Sequence, residues 1–181
     1  MKSHQQNRQK MSKVTTKQGD GGKTLVRQGI RLSKASIEIE AIGMFDELQV
    51  ALGGLNSYYS DPQINRFITK VQRRTFSFVS SLFKGETTAL SNKDITELEE
   101  FQIKLEQSMA IPADWVLTTP DNFACQYARI TCRKTERAVV KFMDEFGTNP
   151  NNARLQVYLN RLSDFLWVSG FFIYKGTPEL L

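Results

Sequence analysis

The chain is 181 residues long, 40% hydrophobic and 24% charged, the proportions of one globular domain able to bury a core without covalent staples. Two cysteines, Cys125 and Cys132, exclude a disulfide scaffold and a four-cysteine zinc site, and a single histidine, His4, excludes a metal centre built from several imidazoles and Ser-His catalysis in the body of the chain. No apolar run approaches the roughly 18 residues of a membrane span.

The net charge of +5 is localised. Lys2, Arg8, Lys10, Lys13 and Lys17 fall within the first 17 residues without an acid among them, which leaves 19 basic residues against 19 acidic ones in the rest. Residues 1–13 are expected to form a solvated, disordered basic tail, and residues 14–181 a single domain. Such a tail attracts polyanions weakly, but a formally neutral body disfavours a nucleic-acid binder. The tail has no apolar h-region, and its Gln-rich, Ser-poor make-up departs from a transit peptide, so a cytoplasmic location is expected.

Residues 19–34, with Gly19, Gly21, Gly22 and Gly29, read as loop, and no alternating strand pattern of useful length follows. A first helix is expected over residues 42–59, with Phe45, Leu48, Leu52, Leu55 and Tyr59 on one face. A second opens at Asp61-Pro62, an N-cap with proline at the first helical position, and carries Ile64, Phe67, Ile68, Val71, Phe78 and Leu82 to about residue 84. A third follows the capping-box pattern Ser91-Asn92-Lys93-Asp94 through Leu98, Phe101 and Leu105. After a loop holding Pro112 and Trp115, a fourth opens at Thr119-Pro120 and runs to Phe146, where Gly147 stops it. A fifth spans residues 152–174, with Leu155, Leu159, Leu162, Leu166 and Ile173 on one face. Five long helices with short connections predict an all-α, up-and-down five-helix bundle.

Four segments carry candidate chemistry. Lys17-Gln18-Gly19-Asp20-Gly21-Gly22-Lys23-Thr24 ends like a Walker A loop, but Lys17 stands where that motif needs its first glycine, and no strand precedes it, which excludes a standard P-loop. Its glycines let backbone amides approach an anion, and equally well make a simple turn. On the fourth helix, Arg129, Arg133, Glu136 and Arg137 fall within an arc of about 100°. They border an apolar stripe of Ala128, Cys132, Val139, Met143 and Phe146. Guanidiniums bind oxyanions through two parallel N–H groups, so the cluster suits a polyphosphate; it also fits a salt-bridged surface face. Asp46-Glu47 on the first helix either complements the helix dipole or pairs with one of those arginines. Asn160, Arg161 and Asp164 on the fifth form a polar edge beside the leucine stripe.

In this order, the four segments resemble the ATP:cob(I)alamin adenosyltransferases of the PduO type. The family pattern T-K-T-G-D-x-G-x-T is matched by Thr16 through Thr24. R-x-x-K and E-x-x-G-x-x-D-E-L-N are matched by Arg31, Lys34, Glu40, Gly43, Asp46, Glu47, Leu48 and Gln49. A-R-x-x-C-R-R-x-E-R is matched by Ala128, Arg129, Cys132, Arg133, Lys134, Glu136 and Arg137, and Y-L-N-R-L-S-D by Tyr158 through Asp164 unbroken. Departures are Gln18 for Thr, Gln49 for Asn, Lys134 for Arg, and Trp115-Val116-Leu117-Thr118-Thr119-Pro120 where the family reads F-I-L-P-G-G.

The resemblance implies a homotrimer with active sites between subunits, and ATP, Mg²⁺ or a similar divalent cation, and cobalamin as cofactors and substrates. Cobalt(I) of reduced cobalamin attacks the 5′ carbon of ATP and releases triphosphate. It assigns Lys17, Gly19, Asp20, Gly22, Lys23 and Thr24 to a triphosphate loop, Lys34 to an added cation, and Arg129, Arg137 and Asn160 to ATP. Glu136 orients arginines or joins the metal shell. Asp46 and Arg133 bridge subunits on the cobalamin-facing side, and Trp115 takes the place of an aromatic that removes cobalamin's lower ligand. A reductase and an adenosylcobalamin-dependent enzyme are implied as partners. The alternative is a non-catalytic or weakly active cobalamin- or ATP-binding paralogue.

Overall fold

The computed structural model describes residues 14–27, 29–84, 90–112 and 116–173. The expected tail at residues 1–13 and Trp115 lie outside them. Five helices follow a short hairpin: β1 (Lys23–Arg27), β2 (Ile30–Ser33), α1 (Ile37–Leu55), α2 (Pro62–Lys84), α3 (Asn92–Glu106), α4 (Phe123–Phe146) and α5 (Pro150–Ile173).

The hairpin corrects the reading of residues 19–34 as loop. β1 and β2 pair antiparallel, Lys23 opposite Ser33 and Thr24 opposite Leu32, with a bulge between Leu25 and Arg27. Gly29 closes the turn at φ +84°, a left-handed backbone that suits glycine. The strands leave no clear alternation in the sequence because they are short and bury little. Leu25 and Ile30 are largely exposed, so apolar residues occupy both faces and no two-residue period emerges.

α1 starts five residues earlier than its apolar face suggested. Ser36 sits in extended backbone and its hydroxyl accepts from the Ile39 amide at 3.4 Å, while Glu38 and Glu40 complement the positive end of the helix. The helix ends at Leu55, so Tyr59 lies beyond it, yet Tyr59 is buried and its hydroxyl lies 2.9 Å from Cys125 Sγ. Asp61 caps α2 by accepting from the Gln63 amide at 2.6 Å. Asp94 closes the start of α3, accepting from the Ser91 amide at 2.8 Å and the Ser91 hydroxyl at 2.7 Å.

α4 begins at Phe123, later than the expected Thr119-Pro120. Asn122 is the reason. Its side chain accepts from the Thr119 amide at 2.9 Å and donates to Leu117 O at 3.1 Å, which holds Pro120–Asn122 as a turn before the helix. Gly147 ends α4 at φ +90°, its amide bonded to Met143 O at 2.8 Å. Asn149 then caps α5, accepting from the amides of Asn151 at 2.9 Å and Asn152 at 3.1 Å.

α1 packs between α2 and α4, and α5 packs between α4 and α3 while also touching α2, giving an up-and-down bundle with α4 and α5 side by side. Phe45, Leu48, Leu52, Leu155, Leu159, Leu162 and Leu166 are buried from α1 and α5, as their spacing predicts. Phe67 stacks on Phe101 with centroids 4.3 Å apart and meets the edge of Phe165 at 5.2 Å, which closes α2, α3 and α5 together. Each such side chain contributes about 1.5–3 kcal/mol on burial. One expected member of the α4 stripe fails: Phe146, in the last turn, is 52% exposed, its ring against that of Phe142. Ile173 closes α5, but its side chain lies outside the described residues.

Candidate active site

Arg133, Glu136, Arg137 and Asn160 share one open depression of about 290 Å³, together with Val140. α4 supplies four of these residues at one-turn spacing and α5 supplies Asn160. The two helices are held at this level by the buried Cys132, whose thiol donates to Leu159 O at 3.2 Å. Asn160 Nδ2 donates to Glu136 Oε1 at 3.4 Å. Two guanidiniums, one carboxylate and one amide thus line a space open to solvent. This set binds an oxyanion through the arginines and orients it through the amide.

Arg129 stands apart from that depression. Its Nε donates to Gln126 Oε1 at 2.9 Å, and its guanidinium carbon lies 5.2 Å from the Trp167 ring centroid, a cation–π arrangement. Burial, with the charge of Arg133, pulls its pKa below the ordinary arginine value against the opposing pull of Asp164, although an arginine remains cationic at any neutral pH. Burial raises the pKa of the Asp164 carboxyl from its ordinary value despite the nearby Arg161, Arg133 and Arg129. Lys134 points elsewhere, its Nζ 3.8 Å from Glu47 Oε1.

Asp46 is exposed on α1, and among the described residues no hydrogen bond or ion pair joins it to Arg133. Glu47 instead takes the α4 contacts, accepting from the Tyr127 hydroxyl at 3.3 Å. The α1–α4 contact below them is fixed by Thr135, whose hydroxyl donates to Met44 O at 3.0 Å.

The glycine loop lies before the hairpin. Lys17 adopts φ +56°, which is uncommon for a residue with a β-carbon, and Gly22 adopts φ +74°. Two tight turns follow, the Asp20 amide to Lys17 O and the Gly22 amide to Gly19 O, each at 3.3 Å. The Lys34 amide donates to Gly22 O at 2.9 Å, and Lys34 Nζ reaches the turn at Gly19. Lys17, Asp20, Lys23 and Lys34 are exposed, and Thr24 is half-buried. The structure therefore brings Lys34 against the loop. Among the described residues, no hydrogen bond or ion pair joins residues 16–34 to α4 or α5, and the hairpin makes no extensive packing against any helix.

Three supporting residues carry no role in the sequence reading. Arg31 donates to Gln18 O and, at 3.4 Å, to Lys23 O, clipping the loop to the hairpin. Its place in the R-x-x-K match was the available signal. Gln126 and Trp167 brace Arg129; a three-residue offset on α4 pointed to Gln126, whereas Trp167 comes from α5 and no local spacing marks it.

Both cysteines are free thiols buried in the core. Burial pushes the Cys125 thiol up to about 11 and raises Cys132 well above its ordinary value. Among the described residues no cluster of three or more Asp, Glu, Cys or His side chains is disposed to hold a metal ion. A single carboxylate such as Glu136 suits a cation that arrives with a phosphate ligand and takes most of its oxygens from it. A larger depression of about 730 Å³ runs along α2, lined by Arg66, Lys70, Arg73 and Arg74. It contains none of the candidate residues, and Lys70 and Arg74 are engaged by Glu97 and Asp94 on α3.

Residues 14–173 match the model of the cobalamin adenosyltransferase family, and the chain belongs to that family. It is 31% identical over 163 residues to a cobalamin adenosyltransferase of Cupriavidus metallidurans, covering 88% of this chain and 86% of that protein. It is 27% identical to the corrinoid adenosyltransferase MMAB of Bos taurus, covering 94% and 76%. The corrinoid adenosyltransferase PduO of Citrobacter freundii is 28% identical over 85% of this chain, which spans 48% of that longer protein. The fold matches that of a variant PduO-type ATP:corrinoid adenosyltransferase from Lactobacillus reuteri complexed with cobalamin and ATP. That match has a TM-score of 0.81 and 24% identity, and covers 93% of this chain and 96% of the other.

Proposed function

We propose that the chain is an ATP:cob(I)alamin adenosyltransferase, transferring the 5′-deoxyadenosyl group of ATP to reduced cobalamin. The convergence of Arg133, Glu136, Arg137 and Asn160 on one depression, inside the region that matches the family, carries this reading. Cobalamin and ATP both appear with the structural relative, and a divalent cation would arrive bound to the ATP phosphates. The cobalt(I) electron pair forms the carbon–cobalt bond while the C5′–O bond breaks and its electrons leave with triphosphate. Because cobalt(I) is the nucleophile, the protein needs no activated serine, histidine or thiol. A body whose only two cysteines are buried and protonated suffices. Its work is to hold the reactants in line and to meet the charge that builds on the leaving triphosphate.

Arg137 and Asn160 hold the nucleotide, with Glu136 orienting the arginines or touching the cation carried by ATP. Lys17, Gly19, Asp20, Gly22, Lys23 and Thr24 wrap the triphosphate, and Lys34 adds charge to the same turn. Arg129, held by Gln126 and Trp167, contributes from the next turn of α4. Trp115 is the candidate aromatic for the lower face of cobalamin.

The loop and the arginine depression belong to one site if neighbouring subunits supply them, so the working assembly is a homotrimer in which Asp46 of one copy meets Arg133 of the next. Two features support association. The loop-bearing hairpin stands off its own bundle, and Val50, Tyr127 and Ile130 expose apolar surface on α1 and α4. A cytoplasmic setting, with a reductase supplying cobalt(I) and an enzyme consuming the product, completes the proposal. No helix among the described residues is long and apolar enough to cross a membrane.

The test is an anaerobic assay with ATP and chemically reduced cobalamin. Adenosylcobalamin and triphosphate forming in equal amounts supports the enzyme. ATP binding without product would make the chain a non-catalytic paralogue.

A further inference from the structure

Three hydrogen bonds run in series from the surface of α3 to the arginine depression. Arg161 on α5 donates from Nε to Glu99 Oε1 at 2.8 Å and from Nη1 to Asn160 Oδ1 at 2.9 Å. Asn160 Nδ2 then donates to Glu136 Oε1 at 3.4 Å. Asn160 and Glu136 line the depression, while Arg161 and Glu99 do not.

A carboxamide is two-faced. Its oxygen only accepts and its nitrogen only donates, and a half-turn about χ2 exchanges them. An asparagine at a ligand site is therefore ambiguous unless a neighbour settles its orientation. A guanidinium settles it, because it has five donors and no acceptor. Arg161 occupies the oxygen of Asn160, and the NH₂ group is left for the side where Glu136 stands. Glu99 takes the Nε–H of the same guanidinium and so fixes the plane in which Nη1 reaches Asn160. Only one hydrogen of the NH₂ group serves the long contact to Glu136; the other is available to an acceptor in the depression.

We infer that Arg161, braced by Glu99, is a positioning residue that locks Asn160 with its donor toward the nucleotide, and this rests on the nucleotide reading of the site. The competing role, a simple tie between α3 and α5, makes a different prediction. Side chains about 41% and 42% exposed form an ion pair that contributes little to stability. Loss of the pair should therefore leave the fold intact, and the two roles separate on ligand affinity.

The experiment measures ATP binding to the full chain by calorimetry, beside thermal melts. Arg161→Met is expected to weaken ATP binding by about three- to ten-fold, the worth of one oriented hydrogen bond, with an unchanged melting temperature. Arg161→Lys, which still donates to Asn160, recovers part of the loss. In an Asn160→Ala background Arg161→Met has no further effect, because there is no amide left to orient. Glu99→Ala, remote from the depression, shows a smaller loss in the same direction. The inference is overturned if Arg161→Met, or Glu99→Ala where that variant does not fold, binds ATP as tightly as the unaltered chain. It is equally overturned if the loss persists in the Asn160→Ala background. Failure of the unaltered chain to bind ATP removes the nucleotide reading itself, and this inference with it.

Discussion

The ammonium of Lys34 lies against the turn at Gly19: a β-carbon placed on that glycine would stand 3.1 Å from Lys34 Nζ. Backbone and cation are thereby brought together without any helix taking part. The arrangement separates two ways of damaging the loop. Alanine at Gly19 presses on the tip of a flexible side chain, which can move aside, and meets Lys23 O at an ordinary 3.9 Å. Alanine at Gly22 meets nothing, yet must adopt φ +74°.

Backbone strain should therefore outweigh contact. Holding a residue with a β-carbon in the left-handed region costs about 1–2 kcal/mol. Gly22→Ala is expected to raise KM for ATP by about five- to twenty-fold, with Gly19→Ala well below that. Neither should shift the helical melt, because the hairpin stands off the bundle. Steady-state kinetics with circular dichroism melts checks both, and a greater effect at Gly19 would show that contact with Lys34 dominates.

The proposed bridge between Asp46 and Arg133 is open to a charge exchange. Asp46→Arg should place two like charges together at the subunit contact and reduce activity by at least about ten-fold. Arg133→Asp alone should do the same. The double variant should regain a substantial part of the loss if the pair is direct, and sedimentation should show trimers returning with activity. Two losses that simply multiply in the double variant would separate the residues.

The sequence made the bundle legible because its helices carry apolar residues at helical spacings, as Phe45, Leu48, Leu52 and Leu55 do on α1. The boundaries were harder. Ser36 and Asn122 set the starts of α1 and α4 through side-chain hydrogen bonds, and neither interrupts an apolar period. The hairpin was missed because Leu25 and Ile30 are exposed, so strand periodicity carried no burial signal. At the site, helical spacing placed Arg133, Glu136 and Arg137 together correctly, since one helix sets their geometry. It grouped Arg129 with them because angle around an axis says nothing of what a guanidinium finds beside it. Gln126 and Trp167 decide that, and Trp167 comes from another helix. Asn160 reached the depression through the pairing of α4 with α5, which no local pattern encodes.

Asp94 predicts how the fold responds to acid. Burial alone would raise its pKa, but hydrogen bonds from the Ser91 hydroxyl and amide, together with the charge of Arg74, outweigh burial and hold it below the ordinary carboxylate value. A folded-state pKa below the unfolded one means stabilisation that is complete above the unfolded value, about 3.9, and lost as pH falls through the folded value. Asp94→Asn should therefore be less stable than the unaltered chain at pH 7, and the gap should narrow as pH falls from about 5 to 3. Melting temperatures across that range test it. A gap independent of pH would assign the residue's effect to capping geometry instead of charge.

Arg137 is the sharpest test of the depression as a reaction site. If its fork meets charge that develops on the leaving triphosphate, removing it takes away an interaction made chiefly in the transition state. Arg137→Ala should lower kcat by about 100-fold or more, equivalent to at least ~2.7 kcal/mol, with a smaller change in KM for ATP. Arg137→Lys keeps a cation but loses the two parallel donors and should fall between. Lys134→Arg restores the residue usual in the family at the neighbouring position. It should change little, because Lys134 faces Glu47 and lies outside the depression. Near-normal turnover in Arg137→Ala, or a large gain in Lys134→Arg, would move the reacting phosphate to the other side of α4.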